Sequence, residues 1–295
     1  MTAPALQLPG PLVTAAWLAE HLGDERLVVV DASVLGVETP AGFSWLSGLD
    51  DYLTDGHVPG AVFAELLEEF SDTAGRFTFT RPDLERLEQA ARAVGIDDSA
   101  TVVVYDTAIG HWAARLWWLL SSAGFARVAV LDGGLTAWRA AGGPLETGFQ
   151  EPRAAGVITL APIEGYWADT DEVWRIVEGE SEAALVCALP PSDFSGETGR
   201  RARRGHIPRS VNVPVGSVVD RDSRTQLHGP ALTERLAPAT ASGAARVVVY
   251  CGAGIAAAGT GFALRRAGHT DVAVYDGSLE EWTADPEAPL VTLES

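Results

Sequence analysis

The stretch Val247-Val248-Val249-Tyr250-Cys251-Gly252-Ala253-Gly254-Ile255-Ala256-Ala257-Ala258 decides the fold and locates the chemistry. The β-branched and aromatic run before Cys251 reads as a buried strand. Two glycines then demand a tight turn, and the apolar run to Ala267 reads as a helix. At such a junction the first backbone N–H groups of the helix lack intrahelical partners and can converge on whatever the sulfur carries. Thiolate gains from the helix dipole and from those donors, so the position suits a sulfur nucleophile.

The pattern occurs twice. Val102-Val103-Val104-Tyr105-Asp106 leads through a helical stretch to Val128-Ala129-Val130-Leu131-Asp132-Gly133-Gly134 and ends at Trp138. The strand before Cys251 leads in the same way to Val272-Ala273-Val274-Tyr275-Asp276-Gly277-Ser278 and ends at Trp282. Asp106 precedes Asp132 by 26 residues, and Cys251 precedes Asp276 by 25. Upstream stand matching turns, Gly56-His57-Val58-Pro59 and Gly205-His206-Ile207-Pro208, with His57 49 residues before Asp106 and His206 45 before Cys251. Two homologous domains follow from this repetition.

Within each copy short strands alternate with helical stretches, which predicts an α/β fold of two tandem domains, each a parallel sheet flanked by helices on both faces. Strands are expected at 27–31, 61–64, 101–106 and 128–131, and again at 185–188, 211–213, 247–250 and 272–275. Helices are expected near 14–22 (Thr14 as N-cap), 82–94, 111–122 and 135–141, then 170–177, 232–237, 255–267 and 279–283. Residues 143–165 lack periodicity and hold Pro144, Gly148, Pro152, Gly156 and Pro162. The organisation predicted is a non-catalytic domain over 10–145, a linker over 146–165 and a catalytic domain over 166–290. Asp106 occupies the place of Cys251 in the first copy and cannot act as a sulfur nucleophile, so the chemistry is assigned to the second.

Composition narrows the function. The 295 residues are 47% hydrophobic and 21% charged with a net charge of −19, which opposes nucleic-acid phosphates and anionic membranes. No apolar run approaches the roughly 20 residues of a membrane span, and residues 1–12 lack a signal-peptide pattern, so a cytoplasmic protein is expected. Every basic residue is arginine; the absence of lysine excludes Schiff-base and P-loop lysine mechanisms. Cys187 and Cys251 are the only cysteines, too few for a disulfide framework or a zinc site. Cys187, inside the strand-like run Ala184-Leu185-Val186-Cys187, reads as an inert core thiol.

Tandem domains, a Gly-His-x-Pro turn in each, a strand-borne Cys in the second alone and the Asp-Gly-Gly/Ser…Trp endings together resemble the two-domain rhodaneses. That family comprises thiosulfate and 3-mercaptopyruvate sulfurtransferases, and the resemblance covers nearly the whole chain. It implies ping-pong sulfur transfer. Cys251 takes the sulfane sulfur of a small anionic donor as a persulfide, and a thiophilic acceptor (cyanide, a small thiol or a thioredoxin-like protein) removes it. The implied persulfide cradle is the backbone N–H set of Gly252, Ala253, Gly254, Ile255 and Ala256. No cofactor or metal is implied, and a two-domain chain of this kind is expected to be a monomer.

The loop resembles the mercaptopyruvate type, Cys-Gly-Ser-Gly-Val-Thr, more than the thiosulfate type, Cys-Arg-Lys-Gly-Val-Thr, because Gly252 removes the cation. It departs from it in Ala253, which replaces the serine of an implied Ser-His-Asp relay, and in Ala256, which replaces a threonine. A second departure lies in Cys187-Ala188-Leu189-Pro190-Pro191-Ser192-Asp193-Phe194-Ser195-Gly196, where relatives resemble Asp-Ala-Arg-x-x-x-Arg-Phe-x-Gly. Asp193 stands where a substrate-holding arginine is expected. Compensation is expected from Arg200, Arg201, Arg203, Arg204 and Arg209, which outnumber Asp193 and Glu197 in this segment. Arg200 is the nearest match to a second substrate arginine, since the guanidinium fork can grip a carboxylate or sulfonate.

His57 is a candidate substrate-binding residue through the resemblance, whereas His206 reads as a turn residue bonded to local backbone. Trp112, Trp117 and Trp118 read as packing, and Glu65, Glu68, Glu69 and Asp72 as a solvated face. The Asp132 and Asp276 turns read as loop punctuation. A phosphatase of the same fold would need arginine six residues after the cysteine, where Ala257 stands. The other alternative is a degenerate sulfur carrier or interaction module.

Overall fold

A computed structural model describes residues 6–40 and 42–293; residues 1–5, part of the segment read for a signal peptide, lie outside it. The chain divides into two compact units. The first holds the residues up to Thr73, Arg81–Ile163 and Asp222–Thr225; the second holds Ala74–Thr80, Glu164–Arg221 and the residues from Gln226 onward.

In the first unit the elements are β1 (Leu12–Val13), α1 (Ala15–His21), β2 (Leu27–Asp31), β3 (Val34–Thr39), β4 (Gly42–Ser47), α2 (Leu49–Thr54), β5 (Val62–Phe63), α3 (Leu84–Ala93), β6 (Thr101–Tyr105), α4 (His111–Ser122), β7 (Val128–Leu131) and α5 (Gly134–Ala140). In the second they are β8 (Trp167–Ala168), α6 (Thr170–Glu178), β9 (Ala184–Cys187), α7 (Pro191–Ser195), β10 (Ser210–Asn212), α8 (Gly229–Thr240), β11 (Val247–Tyr250), α9 (Ile255–Arg266), β12 (Val272–Tyr275) and α10 (Ser278–Trp282). Each unit has a five-stranded sheet. Their orders, β1-β7-β6-β2-β5 and β8-β12-β11-β9-β10, are the same arrangement, and every pairing is parallel.

The duplication extends to hydrogen bonds. Tyr105 Oη accepts from Val58 N–H at 3.2 Å, and Tyr250 Oη from Ile207 N–H at 3.0 Å. Trp138 Nε1 donates to the Pro144 carbonyl at 2.8 Å, and Trp282 Nε1 to that of Pro289 at 2.9 Å. These side chains are buried, and a buried indole or phenol without a partner would cost about 1–3 kcal/mol. The strands are continuous Val-rich runs because helices cover both faces of each sheet. Caps start the helices where the sequence supplies them: Thr14 Oγ1 accepts from Trp17 N–H at 3.1 Å, and Asp83, one residue after Pro82, accepts from Arg86 N–H at 2.8 Å. Each cap contributes about 1 kcal/mol.

The short elements β1, β8, α2 and α7 were not anticipated, and two larger features differ from expectation. β3 and β4 pair antiparallel with Val34 opposite Ser47 and Thr39 opposite Gly42, where no strands were anticipated. The stretch expected as a linker is bound to the first unit as far as Ile163. Glu146 and His57 exchange backbone hydrogen bonds of 2.8 and 3.0 Å, Gly156 N–H donates to Asp97, and Ala161 N–H donates to the Ala123 carbonyl. Polar anchors of this kind leave no hydrophobic period to read. No helix among the described residues is long and apolar enough to cross a membrane.

Candidate active site

β11 ends at Tyr250, paired in register with Cys187 of β9, and Cys251 follows in the turn. Cys251 is 2% exposed and Cys187 fully buried; both thiols are free. Side chains alternate along a strand, so Cys187, which packs in the same core cluster as Tyr250, faces away from Cys251. Burial pushes the Cys187 thiol up to about 12, which leaves it inert.

The turn is clamped from one side by the start of α10. Leu279 N–H donates to the Cys251 carbonyl at 3.1 Å and Glu280 N–H to the Gly252 carbonyl at 3.0 Å. The buried Ser278 hydroxyl completes the clamp. It donates to the Tyr275 carbonyl at 2.8 Å, and its oxygen accepts the N–H groups of Cys251 and Gly254, each at 3.1 Å. Ser278 has φ of 51°, in the left-handed region, where the first unit places Gly134 at 54°. A side chain there costs about 1–2 kcal/mol, and two hydrogen bonds into the Cys251 turn offset that cost. Gly254 therefore drops out of the expected persulfide cradle, because its N–H is taken by Ser278.

The first unit shows what such a turn binds. Asp106 Oδ1 accepts from Ala108 and Gly110 N–H at 2.8 and 3.0 Å, and Oδ2 from Trp112 and Ala113 N–H, both at 2.9 Å. Four amides at the N-terminus of α4 thus hold one carboxylate. Gly110 and Gly254 are both left-handed N-caps, of α4 and α9. Counted from these caps, Trp112 and Ala113 correspond to Ala256 and Ala257, and Ala108 to Gly252, the turn from Cys251 to Gly254 being one residue shorter than that from Asp106 to Gly110. Among the described residues the N–H groups of Gly252, Ala253, Ile255, Ala256 and Ala257 donate to no protein acceptor. These are the donors that the Cys251 turn offers, and Ala257 stands among them beside four of the residues expected for the cradle.

The five arginines of 200–209 separate clearly. Arg203 donates to the carbonyls of Asp285 (2.6 Å) and Ala288, and Arg204 to that of Glu197 at 3.3 Å. Arg209 lies against Gly179, and Arg200 is exposed. Arg201, half-buried, is the one at the turn: its Nη2 fills the space a Cβ on Gly252 would take, with Cζ 3.5 Å from that point. Of the five, Arg201 is the one set against the Cys251 turn, whereas Arg200 stands exposed. Asp193 Oδ1 accepts the Thr198 hydroxyl at 2.7 Å, a contact that closes its own loop.

His57 is 1% exposed, its Nδ1–H donates to the Tyr52 carbonyl at 2.9 Å, and its ring stacks on Tyr52 at 3.8 Å. His206 repeats this on Phe194, at 2.7 Å to the carbonyl and 3.7 Å between rings. In its own unit His57 closes its turn as His206 does. Among the described residues no group of three or more His, Cys, Asp or Glu side chains could hold a metal.

Comparison with known proteins bears on a duplicated strand–thiol–helix of this geometry. A model described as Rhodanese-like domain matches residues 14–141 and again 169–285. The chain belongs to the rhodanese family. It is 40% identical over 238 residues to a putative thiosulfate sulfurtransferase, SseB, of Mycobacterium tuberculosis, covering 80% of this chain and 83% of that one. It is 31% identical over 281 residues to the 3-mercaptopyruvate sulfurtransferase of Escherichia coli K12, covering 94% and 96%. The crystal structure of SseA from Escherichia coli, a 3-mercaptopyruvate sulfotransferase with the rhodanese fold, superposes with a TM-score of 0.80 at 28% identity, over 91% of this chain and 98% of that one.

Sequence reasoning gave Ser278 and Ala257 no part in the Cys251 turn of this rhodanese and left Arg201 as one of five arginines. Ser278 carried a signal: the repeat puts it opposite Gly134, and a serine that replaces a glycine in a duplicated turn has a task there. Arg201 could not be separated from Arg200 by pattern, because both lie in an irregular loop.

Proposed function

We propose that this rhodanese moves sulfane sulfur from a small anionic donor through a persulfide on Cys251 to a thiophilic acceptor. The observation that carries the reading is the cradle. Five amides after Cys251 point to no protein acceptor, while the matching turn of the first unit closes on the Asp106 carboxylate.

With thiosulfate, the Cys251 thiolate attacks the sulfane sulfur, the donor S–S bond breaks, and its electron pair leaves with sulfite. With 3-mercaptopyruvate, the C–S bond breaks, the electron pair forms the pyruvate enolate, and the donor's thiol proton moves to that carbon. Either route leaves Cys–S–S⁻, whose outer sulfur carries the charge that the amides stabilise. Cyanide, a small thiol or a thioredoxin-like thiolate then takes the outer sulfur and returns the Cys251 thiolate. The loop Cys251-Gly252-Ala253-Gly254 carries no cation of its own, which favours 3-mercaptopyruvate as a donor. The reading is tested by incubating the chain with each donor and weighing it intact. A gain of one sulfur atom, lost in Cys251→Ser, supports it; no gain with either donor overturns it.

A further inference from the structure

The strands that lead to Asp106 and to Cys251 are backed by different buried networks. In the first unit Asp31 ends β2 opposite Tyr105, the residue before Asp106. In the second Cys187 ends β9 opposite Tyr250, the residue before Cys251. Asp31 is 1% exposed and Cys187 fully buried. Each phenol oxygen accepts a backbone N–H of its His-containing turn, from Val58 and from Ile207. What takes the phenol's own proton differs. Tyr105 donates to the Asp31 carboxylate. Tyr250 has Ser210 Oγ at 2.8 Å, where the repeat gives the first unit Ala61. The Ser210 hydroxyl already donates to the Ile207 carbonyl at 2.6 Å, so the Tyr250 hydroxyl donates to Ser210. Ser210 therefore satisfies the phenol without a carboxylate, and a neutral thiol stands where the first unit has an acid.

Position 187 is near Cys251 although its side chain points away. A strand spacing of about 4.8 Å and one residue of rise put the two Cα atoms roughly 6 Å apart. The first unit shows charges at these two positions opposing each other: burial pushes the Asp31 carboxyl up to about 6, and the Asp106 carboxylate adds to the rise. Asp106 has four N–H donors to offset its charge. In the second unit the anion is the working thiolate or persulfide. We propose that the uncharged Cys187–Tyr250–Ser210 network tunes Cys251, by withdrawing from behind it the carboxylate that the duplicated fold carries at this position. The proposal rests on the sulfurtransferase reading of Cys251. Negative charge then builds on Cys251 and on its outer sulfur with no buried anion behind them, and the amides of the turn act unopposed. Cys187 is a positioning residue here: it touches neither donor nor acceptor and acts through Cys251. The ionisable groups that reach it are Tyr250 of β11, Cys251 and the Arg201 guanidinium; β10 presents Ser210 and Asn212, which are neutral. A carboxylate at 187 would face Cys251 and divide the charge of Arg201 as well.

The test compares Cys187→Asp with its neutral isostere Cys187→Asn in the full chain, by the rate of sulfur loading from thiosulfate and from 3-mercaptopyruvate. Cys187→Asn should load within about threefold of the parent, since it adds no charge. Cys187→Asp should load roughly ten- to thirtyfold more slowly at about pH 8 with both donors, the effect of one buried charge at this distance. The gap between the two variants should close towards about pH 5, where a carboxyl buried as Asp31 is takes up its proton. A difference of shape alone would not follow pH. If the aspartate variant unfolds at about pH 8, the same trend is read between about pH 5 and about pH 7. An aspartate variant that loads as fast as the asparagine variant at every pH, or a gap that does not change with pH, would overturn the proposal, while sulfur loading of the parent chain leaves the Cys251 reading intact. Failure of the parent to load sulfur from either donor would remove both.

Discussion

At the scale of single residues, the site is one thiol, a set of bare amides and the groups that aim them. Ser278 is the aiming group, since its oxygen holds the N–H groups at both ends of the Cys251 turn. Ser278→Ala should keep the fold yet slow sulfur loading roughly ten- to hundredfold, because two buried N–H groups lose their acceptor and the turn loses its shape. Ser278→Gly, which the first unit tolerates as Gly134, should match the parent in stability and be as slow as the alanine variant. Equal loading rates in the parent and both variants would show that the hydroxyl merely fills space. Cys251 itself was legible because a nucleophile on a strand–turn–helix is a local pattern. Arg201 was not, because its position depends on how an irregular loop folds back on Gly252.

At the scale of elements, the two strand–turn–helix units differ by what fills the cradle. The Asp106 carboxylate joins the β6 end to the start of α4 with four N–H donors. Asp106→Ala should destabilise the chain by roughly 3 kcal/mol or more in urea unfolding, and Asp106→Asn by less, since one amide oxygen remains to accept. A loss below about 1 kcal/mol for the alanine variant would mean that the carboxylate does not hold the turn. The central strands and covering helices could be read from sequence because Val-rich runs and capped apolar faces repeat. The edge strands β1 and β8 span two residues each, too short for any period. The β3–β4 hairpin was legible in principle, as alternating runs on either side of Pro40, but it has no counterpart in the second copy to call attention to it.

At the scale of the whole molecule, stability carries a pH signature from the first unit. Burial pushes the Asp31 carboxyl up to about 6, partly offset by hydrogen bonds from Ser33 and Tyr105. Below the ordinary carboxyl value of 3.8 the group is protonated in folded and unfolded chains alike and costs nothing. As pH rises past about 6 the folded chain must carry a buried carboxylate, a cost of about 3 kcal/mol. Asp31→Asn should therefore raise the unfolding temperature near pH 7.5 and lose that advantage near pH 4; an equal shift at both would contradict the assignment. Across the whole chain, two copies of one fold divide the labour, one closing its cradle with its own carboxylate and one presenting a thiol. The most direct test is intact mass after thiosulfate or 3-mercaptopyruvate, followed by peptide mapping. The account predicts one added sulfur atom per chain, on Cys251, removable by cyanide, absent in Cys251→Ser, with Cys187 unmodified. Sulfur found on Cys187, or retained in Cys251→Ser, would contradict it.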